Sequence, residues 1–523
     1  MWAVLVLAFF VTVFYIIQRL LDYRGAIRSV GNHPGYRTLL SQSCLLAKLL
    51  PSIHGVSTGR NFLFRHKFQI FQFFGWDTIS AVSAWPQSEA IIILADAYAI
   101  RDVLLSRSRF PKPVQHYQVL LFFGRNIIAS EGDEWKKYRK IAAPAFSERN
   151  NRLVWDETVK IMGDMFQNVW GSQAVITTEH CADLMLLVAL FVIGIAGFGH
   201  KVSWEDDTDI PFGHQMTFKD ALHNVSADMF LKAFVPDRVL GLTKRTRNIK
   251  LAFDELRKYM LEMIQDREVP EKEERYDIFS NLLNANNENS TKSFVLSDQM
   301  DLSGNIFLFL LAGHESTAHI LCFTLALLAL YQGEQDTLFQ HIKSVLSDGR
   351  YPAYEDMNLL THSAAVYNEA LRMFPPVTAI PKESAEDTFL IATNNQGEAK
   401  SVPVPKGTTL VIDIVGLHYN PRYWKDPETF KPSRFLGEWC HDAFLPFSAG
   451  ARACLGRRFS ETEGIAVLTM LVSRYKIEVK EDPRFANETF EARRDRILAC
   501  KAGLTLTPTQ MPLVFKLRDA KGI

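Results

Sequence analysis

The sequence predicts a mainly α-helical protein with a small β-rich part, held by one N-terminal transmembrane helix. Three observations predict it. Long proline-free runs with apolar or amphipathic patterning recur along the chain, the longest from Ser297 to about Tyr331. Short strand-like segments flanked by turn residues gather between Thr388 and Ile412. The first 21 residues are almost wholly apolar.

Composition narrows the function classes. The chain has 523 residues and 47% hydrophobic residues, enough for a large core. Its 58 basic and 58 acidic residues balance, so no global nucleic-acid footprint is expected. Six cysteines at 44, 181, 322, 440, 454 and 500 are dispersed without a CxxC pair. That spacing argues against a disulfide scaffold and against a zinc site.

Trp2 to Ile17 is apolar, and Leu20-Leu21 extend the run past Gln18-Arg19. A bilayer needs about 20 apolar residues as a helix. Arg19, Arg24 and Arg28 follow the span and no basic side chain precedes it. The positive-inside rule then places the body in the cytosol. A basic n-region and a small-x-small cleavage site, the marks of a cleaved leader, are missing. Residues 1–21 are therefore expected to be the anchor, 22–60 a linker or neck, and 61–523 the catalytic domain. In a cytosolic body the sequons at Asn224, Asn289 and Asn487 would go unused.

Along the body, Ile91 to Leu94 reads as a buried strand and Tyr98 to Leu105 as a short helix. In Gly132-Asp-Glu-Trp135-Lys-Lys-Tyr-Arg139-Lys140, Trp135 and Arg139 stand four apart, on one helical face. An indole N–H beside a guanidinium suits a ligand with two carboxylates, and an ordinary basic helix face is the alternative. Lys136, Lys137 and Lys140 form a solvated face or a patch for an acidic partner. Leu184 to Phe198 is short for a membrane span and reads as a core helix. An acidic loop is expected at 201–211, an amphipathic helix over Leu242–Val269 and a polar surface segment over 270–292.

The run from Ser297 is long enough to cross a membrane, but its middle forbids that reading. Ala312-Gly313-His314-Glu315-Ser316-Thr317 sets a carboxylate and two hydroxyls among apolar residues. Buried groups of that kind need partners or a function. Gly313 removes a side chain where a bulky ligand could approach. Hydroxyls bonding back to helix carbonyls are the alternative for Ser316 and Thr317. Further on, Tyr367-Asn-Glu369-Ala-Leu-Arg372 lies on a helix ended by Pro375-Pro376. Thr388–Ile391 and Thr408–Ile412 read as strands.

The most informative stretch is Phe447-Ser-Ala-Gly450-Ala-Arg452-Ala-Cys454-Leu-Gly456. A helix follows directly, so Cys454 is expected at or just before a helix N-terminus. There the dipole favours thiolate over thiol, and a thiolate is a soft ligand for iron. Gly450 and Gly456 permit positive φ or let the backbone lie flat against a planar ligand. Arg452 suits an anionic edge of that ligand, and Phe447 can shield the sulfur. A structural cysteine in a glycine-containing loop is the alternative.

Phe-x-x-Gly-x-Arg-x-Cys-x-Gly resembles the haem-thiolate signature of the cytochrome P450 family, and the other motifs fall in that family's order. The resemblance covers roughly residues 60–520 and is strongest to fungal microsomal members. It implies a cytochrome P450 fold and haem b, with Cys454 as the axial ligand of its iron. Trp135 and Arg139 then match a Trp-x-x-x-Arg motif that contacts the haem propionates. Glu315, Ser316 and Thr317 match the oxygen-activation motif, with serine where the family carries threonine. Serine keeps the hydroxyl but loses the methyl that restricts its rotamer. Glu369 and Arg372 match Glu-x-x-Arg, with Arg434 as their expected partner in a structural triad that fixes ligand geometry. Phe447, Gly450, Arg452, Gly456 and Gly313 are the remaining expected haem-site positions.

The implied activity is insertion of one oxygen atom from O2 into a lipophilic small molecule. The implied partners are an NADPH-dependent reductase, cytochrome b5 as a further donor, and the membrane, with no nucleic acid. A terpenoid substrate and a single-pass endoplasmic reticulum location follow from the fungal analogy. Two alternatives stay open: a haem-thiolate isomerase, dehydratase or peroxygenase that needs no reductase, and a non-catalytic haem protein with His314 as a sixth ligand.

Overall fold

The computed structural model describes all residues except 43, 60, 200–203, 205–209, 237, 239, 269–276, 281, 284–296 and 519–523. Most of the segment 201–211 and of the segment 270–292 therefore falls outside the described residues, as does Asn289. The chain divides into two compact units. One comprises Met1–Pro113, Val377–Thr429 and Trp439–Cys454; the other comprises Val114–Pro376, Phe430–Glu438 and Leu455–Ile523.

The first unit carries the larger sheet. Its five strands run in the order Gly35–Leu40, Thr78–Trp85, Glu89–Leu94, Thr409–Asp413, Ala379–Glu383. The first pair is parallel, with Gly35 opposite Ser80. Gly35 has φ +149, and a Cβ there would lie 1.8 Å from the Ser80 carbonyl oxygen, so this register requires glycine. Arg37 reinforces it by donating to Ser80 Oγ at 3.0 Å and to the His33 carbonyl at 2.7 Å. Part of the expected neck is thus an ordered strand: segments rich in Gly and Pro read as linker, and the long-range pairing that orders this one leaves no local signal.

The N-terminal helix spans Trp2–Ser29 with no buried residue, beyond the 21 residues expected. Nothing in 22–29 breaks a helix once formed, and Asn32 at φ 51 and Gly31 at φ 64 end it. Thr388–Thr393 and Ala399–Val404 form a separate antiparallel hairpin. Ala379–Glu383 is a strand that its two-proline approach hid, since Pro381 removes a donor from the ladder.

The second unit is mostly helical. The helix Ser297–Leu330 packs against Cys181–Val192 and is largely buried despite its length. Cys181–Val192 continues as a π-helical turn, Ile193–Gly197. Phe218–Phe234 packs on Lys244–Glu268, and Arg457–Arg474 packs on Glu148–Asp164 and Thr361–Met373. Val175–Thr178, Leu513–Leu517 and Tyr475–Val479 make a three-stranded sheet.

Candidate functional site: a thiol loop and a polar break in a core helix

In the first unit, the segment before Cys454 is folded by its own backbone. Leu445 N–H donates to Nε2 of buried His418 at 2.9 Å. Ser448, at φ 59, donates its N–H to the Leu445 carbonyl at 3.1 Å. A single 3-10 turn, Gly450–Arg452, follows. Cys454 N–H then returns to the Phe447 carbonyl at 2.9 Å, closing the loop. Gly450 has φ +69, and a Cβ on it would lie 2.8 Å from the Leu104 carbonyl oxygen. Both its conformation and its neighbour require glycine. Gly456 differs from expectation. Its φ is −81 and it serves as the N-cap of Arg457–Arg474, so it does not use positive φ. Cys454 precedes that helix by three residues and is exposed. Cys181 and Cys322 are buried, and the other cysteines are intermediate.

In the second unit, Trp135 and Arg139 are neighbours on Gly132–Ala142, the guanidinium lying 5.8 Å from the indole centroid. Trp135 is buried. Lys136 instead pairs with Asp133 at 2.7 Å on the exposed side.

The six residues 312–317 point in different directions. Between Gly304 and Ala329, Phe309, Ala312, Gly313 and Ser316 form one stripe that is not buried, at the spacing of a single helical face. Ser316 lies on that stripe, and its hydroxyl donates to the Ala312 carbonyl at 2.7 Å. Back-bonding is therefore what its hydroxyl proton does, while its oxygen still has acceptor capacity. Thr317 is buried elsewhere and donates to Ser460 Oγ at 3.3 Å; that oxygen also bonds Tyr367 Oη at 2.8 Å. Gly313 has a local explanation, because a Cβ on it would sit 3.0 Å from the Ile193 side chain. His314 is buried with Nδ1 bonded to the Leu310 carbonyl at 2.9 Å, and burial pulls its imidazolium down to about 4.

Glu315 is buried and doubly bonded. Ser226 Oγ donates to one carboxylate oxygen at 2.6 Å, and Thr505 Oγ1 donates to the other at 3.1 Å. Burial pushes its carboxyl above the ordinary glutamate range, against those two donors and the charge of His223. Thr505 in turn bonds His319 Nδ1 at 2.9 Å. Ser226, Thr505, His319 and Ser460 were not singled out from the sequence. They are common residue types at large separations, and only the folded chain brings them to the helix.

Glu369 and Arg372 have fully buried side chains paired at 2.7 Å, and Arg434 joins them at 3.0 Å. Lys431 N–H adds a further bond to Glu369 at 2.9 Å. All members of the expected triad are together.

The donor chemistry fits a haem-thiolate group. An exposed soft thiol ends a loop whose glycine must stay bare, and a small-residue stripe with one hydroxyl breaks an apolar helix. An exposed cysteine in a glycine-containing loop is the donor type that a haem-thiolate protein requires.

A model of the cytochrome P450 family matches residues 59–498. A protein named cytochrome P450 monooxygenase 124 from Postia placenta is 52% identical over 96% of this chain and 97% of its own length. Cytochrome P450 monooxygenase ORF6 from Penicillium roqueforti is 28% identical over 75% of this chain and 74% of its own. Human cytochrome P450 4Z1 is 27% identical over 72% of this chain and 74% of its own. The chain belongs to the cytochrome P450 family and is a cytochrome P450 monooxygenase with haem b as its cofactor.

Proposed function

We propose that the protein is a membrane-anchored monooxygenase in which Cys454 is the thiolate ligand of the haem iron. The observation that carries this reading is the exposed thiol at the end of a loop closed by the Cys454–Phe447 backbone bond. The haem, when bound through a thiolate, supplies the activation of dioxygen.

The chain's own residues supply the rest. Trp135, Arg139 and Arg452 offer an indole N–H and two guanidinium groups to the haem carboxylates. Gly450 keeps the loop free of a side chain, Phe447 and Gly456 flank it, and Gly313 and Ala312 keep the accessible stripe narrow. Ser316 presents on that stripe a hydroxyl oxygen that can accept a hydrogen bond from a proton-bearing group. Glu315 holds a proton in a dry site, where burial favours its neutral form. Thr317 supports this arrangement through Ser460 rather than facing the stripe. The Glu369, Arg372 and Arg434 triad fixes the segment that leads to the cysteine loop.

Residues 1–21 are assigned as a single-pass anchor in the endoplasmic reticulum membrane, 22–60 as the neck and 61–523 as the cytosolic catalytic domain. The helix Trp2–Ser29, none of whose residues is buried, supports the anchor, and Arg19, Arg24 and Arg28 in its C-terminal part support the orientation. Electrons are assigned to an NADPH-dependent reductase, with cytochrome b5 as a further donor. The substrate is assigned as a lipophilic small molecule of terpenoid type, a reading supported by likeness to fungal members.

The test is the carbon monoxide spectrum of the dithionite-reduced protein, for wild type and Cys454→Ala. A strongly red-shifted Soret band in wild type, lost in the variant, is expected. A carbonyl spectrum like that of a histidine-ligated haem in folded wild type would overturn the assignment of Cys454.

A further inference from the structure

Glu315 is read above as the proton-holding group of the long helix, and the present inference rests on that reading. Glu315 is only 8% exposed, so its proton must be replaced through neighbouring groups. The hydrogen bonds around it have a direction. A threonine hydroxyl has one proton to give. Thr505 gives it to Glu315 at 3.1 Å. While Glu315 is ionised and awaits its proton, the same oxygen accepts from His319 Nδ1 at 2.9 Å, so His319 is the Nδ1–H tautomer in that state. The outcome is a directed line from His319 Nδ1–H through Thr505 Oγ1–H to Glu315 Oε1.

His319 stands four residues beyond Glu315 on the same helix, and so on the same side of it. Thr505 lies 190 positions from Glu315, at the turn between strands Cys500–Ala502 and Leu506–Pro508. Both Thr505 and His319 are buried. The titratable groups acting on this line are His223 on Phe218–Phe234, His314 on the long helix and His180 before Cys181–Val192. Each of them opposes a positive charge on His319. A neutral imidazole can still pass a proton, by taking one on one nitrogen as it releases one from the other.

We propose that Thr505 and His319 are positioning residues that resupply Glu315 with its proton. The steps balance without any change of oxidation state. The Thr505 O–H bond breaks as the Glu315 O–H bond forms. The Thr505 oxygen takes the His319 Nδ1 proton, and His319 Nε2 takes one from water. One proton has then moved from solvent, which is left with hydroxide, to the carboxylate, and a half-turn of the imidazole ring restores an N–H facing Thr505.

The test uses full-length, haem-loaded protein in the resting ferric state. The infrared carbonyl band of protonated Glu315 is identified by its loss in Glu315→Gln, and its hydrogen–deuterium exchange is timed. Thr505→Val removes the hydroxyl at nearly constant shape and is expected to slow exchange about tenfold or more. It also removes a donor to the carboxylate, so the ionisation midpoint of Glu315 rises. Thr505→Ser restores both. His319→Gln keeps a donor for Thr505 but cannot relay, so it slows exchange while leaving the fold intact. If Thr505→Val fails to fold, His319→Gln carries the test.

Wild-type exchange in folded Thr505→Val and His319→Gln would overturn the proposal. A different result bears on the reading beneath it. Glu315→Gln protein that forms product with no added peroxide release would remove Glu315 from the proton route, whatever the exchange rates.

Discussion

Glu369 and Arg372 form a two-pronged pair with both side chains fully buried, Nε to Oε2 at 2.7 Å and Nη2 to Oε1 at 2.9 Å. Three residues apart on a surface helix, such a pair contributes a few tenths of a kcal/mol. Here burial changes what its loss means. Removing one partner leaves the other charge without water, which costs about 3–5 kcal/mol. Glu369→Ala takes a buried carboxylate from two arginines, Arg372 and Arg434, and from the Lys431 N–H. We expect it to accumulate as haem-poor, unstable protein, read by haem-to-protein ratio and thermal unfolding. A variant with wild-type melting temperature would show that the pair adds nothing to the fold.

Gly450 gives a second prediction with a steric basis. A methyl there needs φ near +69 in a non-glycine residue and meets the Leu104 carbonyl at 2.8 Å. The two effects together cost about 1–3 kcal/mol. Gly450→Ala should lower haem retention, while Gly437→Ala, where nothing lies within 4 Å, should not. Equal haem loading in the two variants would contradict the packing argument.

How far the sequence reaches is visible in these same residues. The motif residues could be found because their chemistry sits at short, fixed spacing: Trp135 with Arg139, Glu369 with Arg372, Gly450 with Cys454. The long helices could be found because their patterning is local. What escaped detection depends on distant pairing. Gly35–Leu40 reads as neck until Ser80 is beside it. Thr505 is an ordinary threonine until it meets Glu315. The direction in which each of Glu315, Ser316 and Thr317 faces follows from their helical phase, but which face stays accessible is fixed by the packing of Cys181–Val192 and Phe218–Phe234, which no local pattern reports.

Buried histidines set a pH limit. Burial pulls His314 down to about 4 and His319 to about 3, from an ordinary 6.5. As pH falls below 6.5 the unfolded chain takes protons that the folded chain refuses, so stability falls toward acid. Each histidine contributes up to about 1.4 kcal/mol per pH unit in that window. Asp413 acts in the opposite sense. Burial raises it from 3.8 to about 7, so the folded chain keeps a proton that the unfolded chain has lost, and acidification through 7 stabilises. His319→Gln should therefore flatten the acid loss below pH 6.5, and Asp413→Asn should steepen the net fall between pH 7 and 4. Denaturant titrations across that range check both signs; unchanged slopes would show that neither group is coupled to folding.

The proposed anchor is tested by removing it. Trp2–Ser29 is apolar, and none of its residues is buried. Deleting residues 1–21 should move the protein from the membrane pellet to the soluble fraction while its reduced carbon monoxide spectrum is retained. Full membrane retention after deletion would show that other surfaces of the protein suffice to hold it.

Ser316 is the group on the accessible stripe whose removal should be felt in turnover rather than in stability. Its hydroxyl proton is engaged with the Ala312 carbonyl at 2.7 Å, a bond within its own helix that the fold can lose at little cost. What cannot be replaced is its oxygen, the hydrogen-bonding atom on a face otherwise lined by Phe309, Ala312 and Gly313. Ser316→Ala should melt within about 0.5 kcal/mol of wild type, as expected where no buried partner is stranded. Its product yield per electron pair consumed should fall by about ten- to a hundredfold, the missing electrons appearing as peroxide, because a positioned hydrogen-bonding oxygen has been removed. Thr317→Val should show the reverse pattern. It loses the bond to Ser460 in a buried site and so costs stability, with little change in yield per electron pair consumed. If Thr317→Val uncoupled turnover while Ser316→Ala did not, the assignment of the two hydroxyls would have to be exchanged.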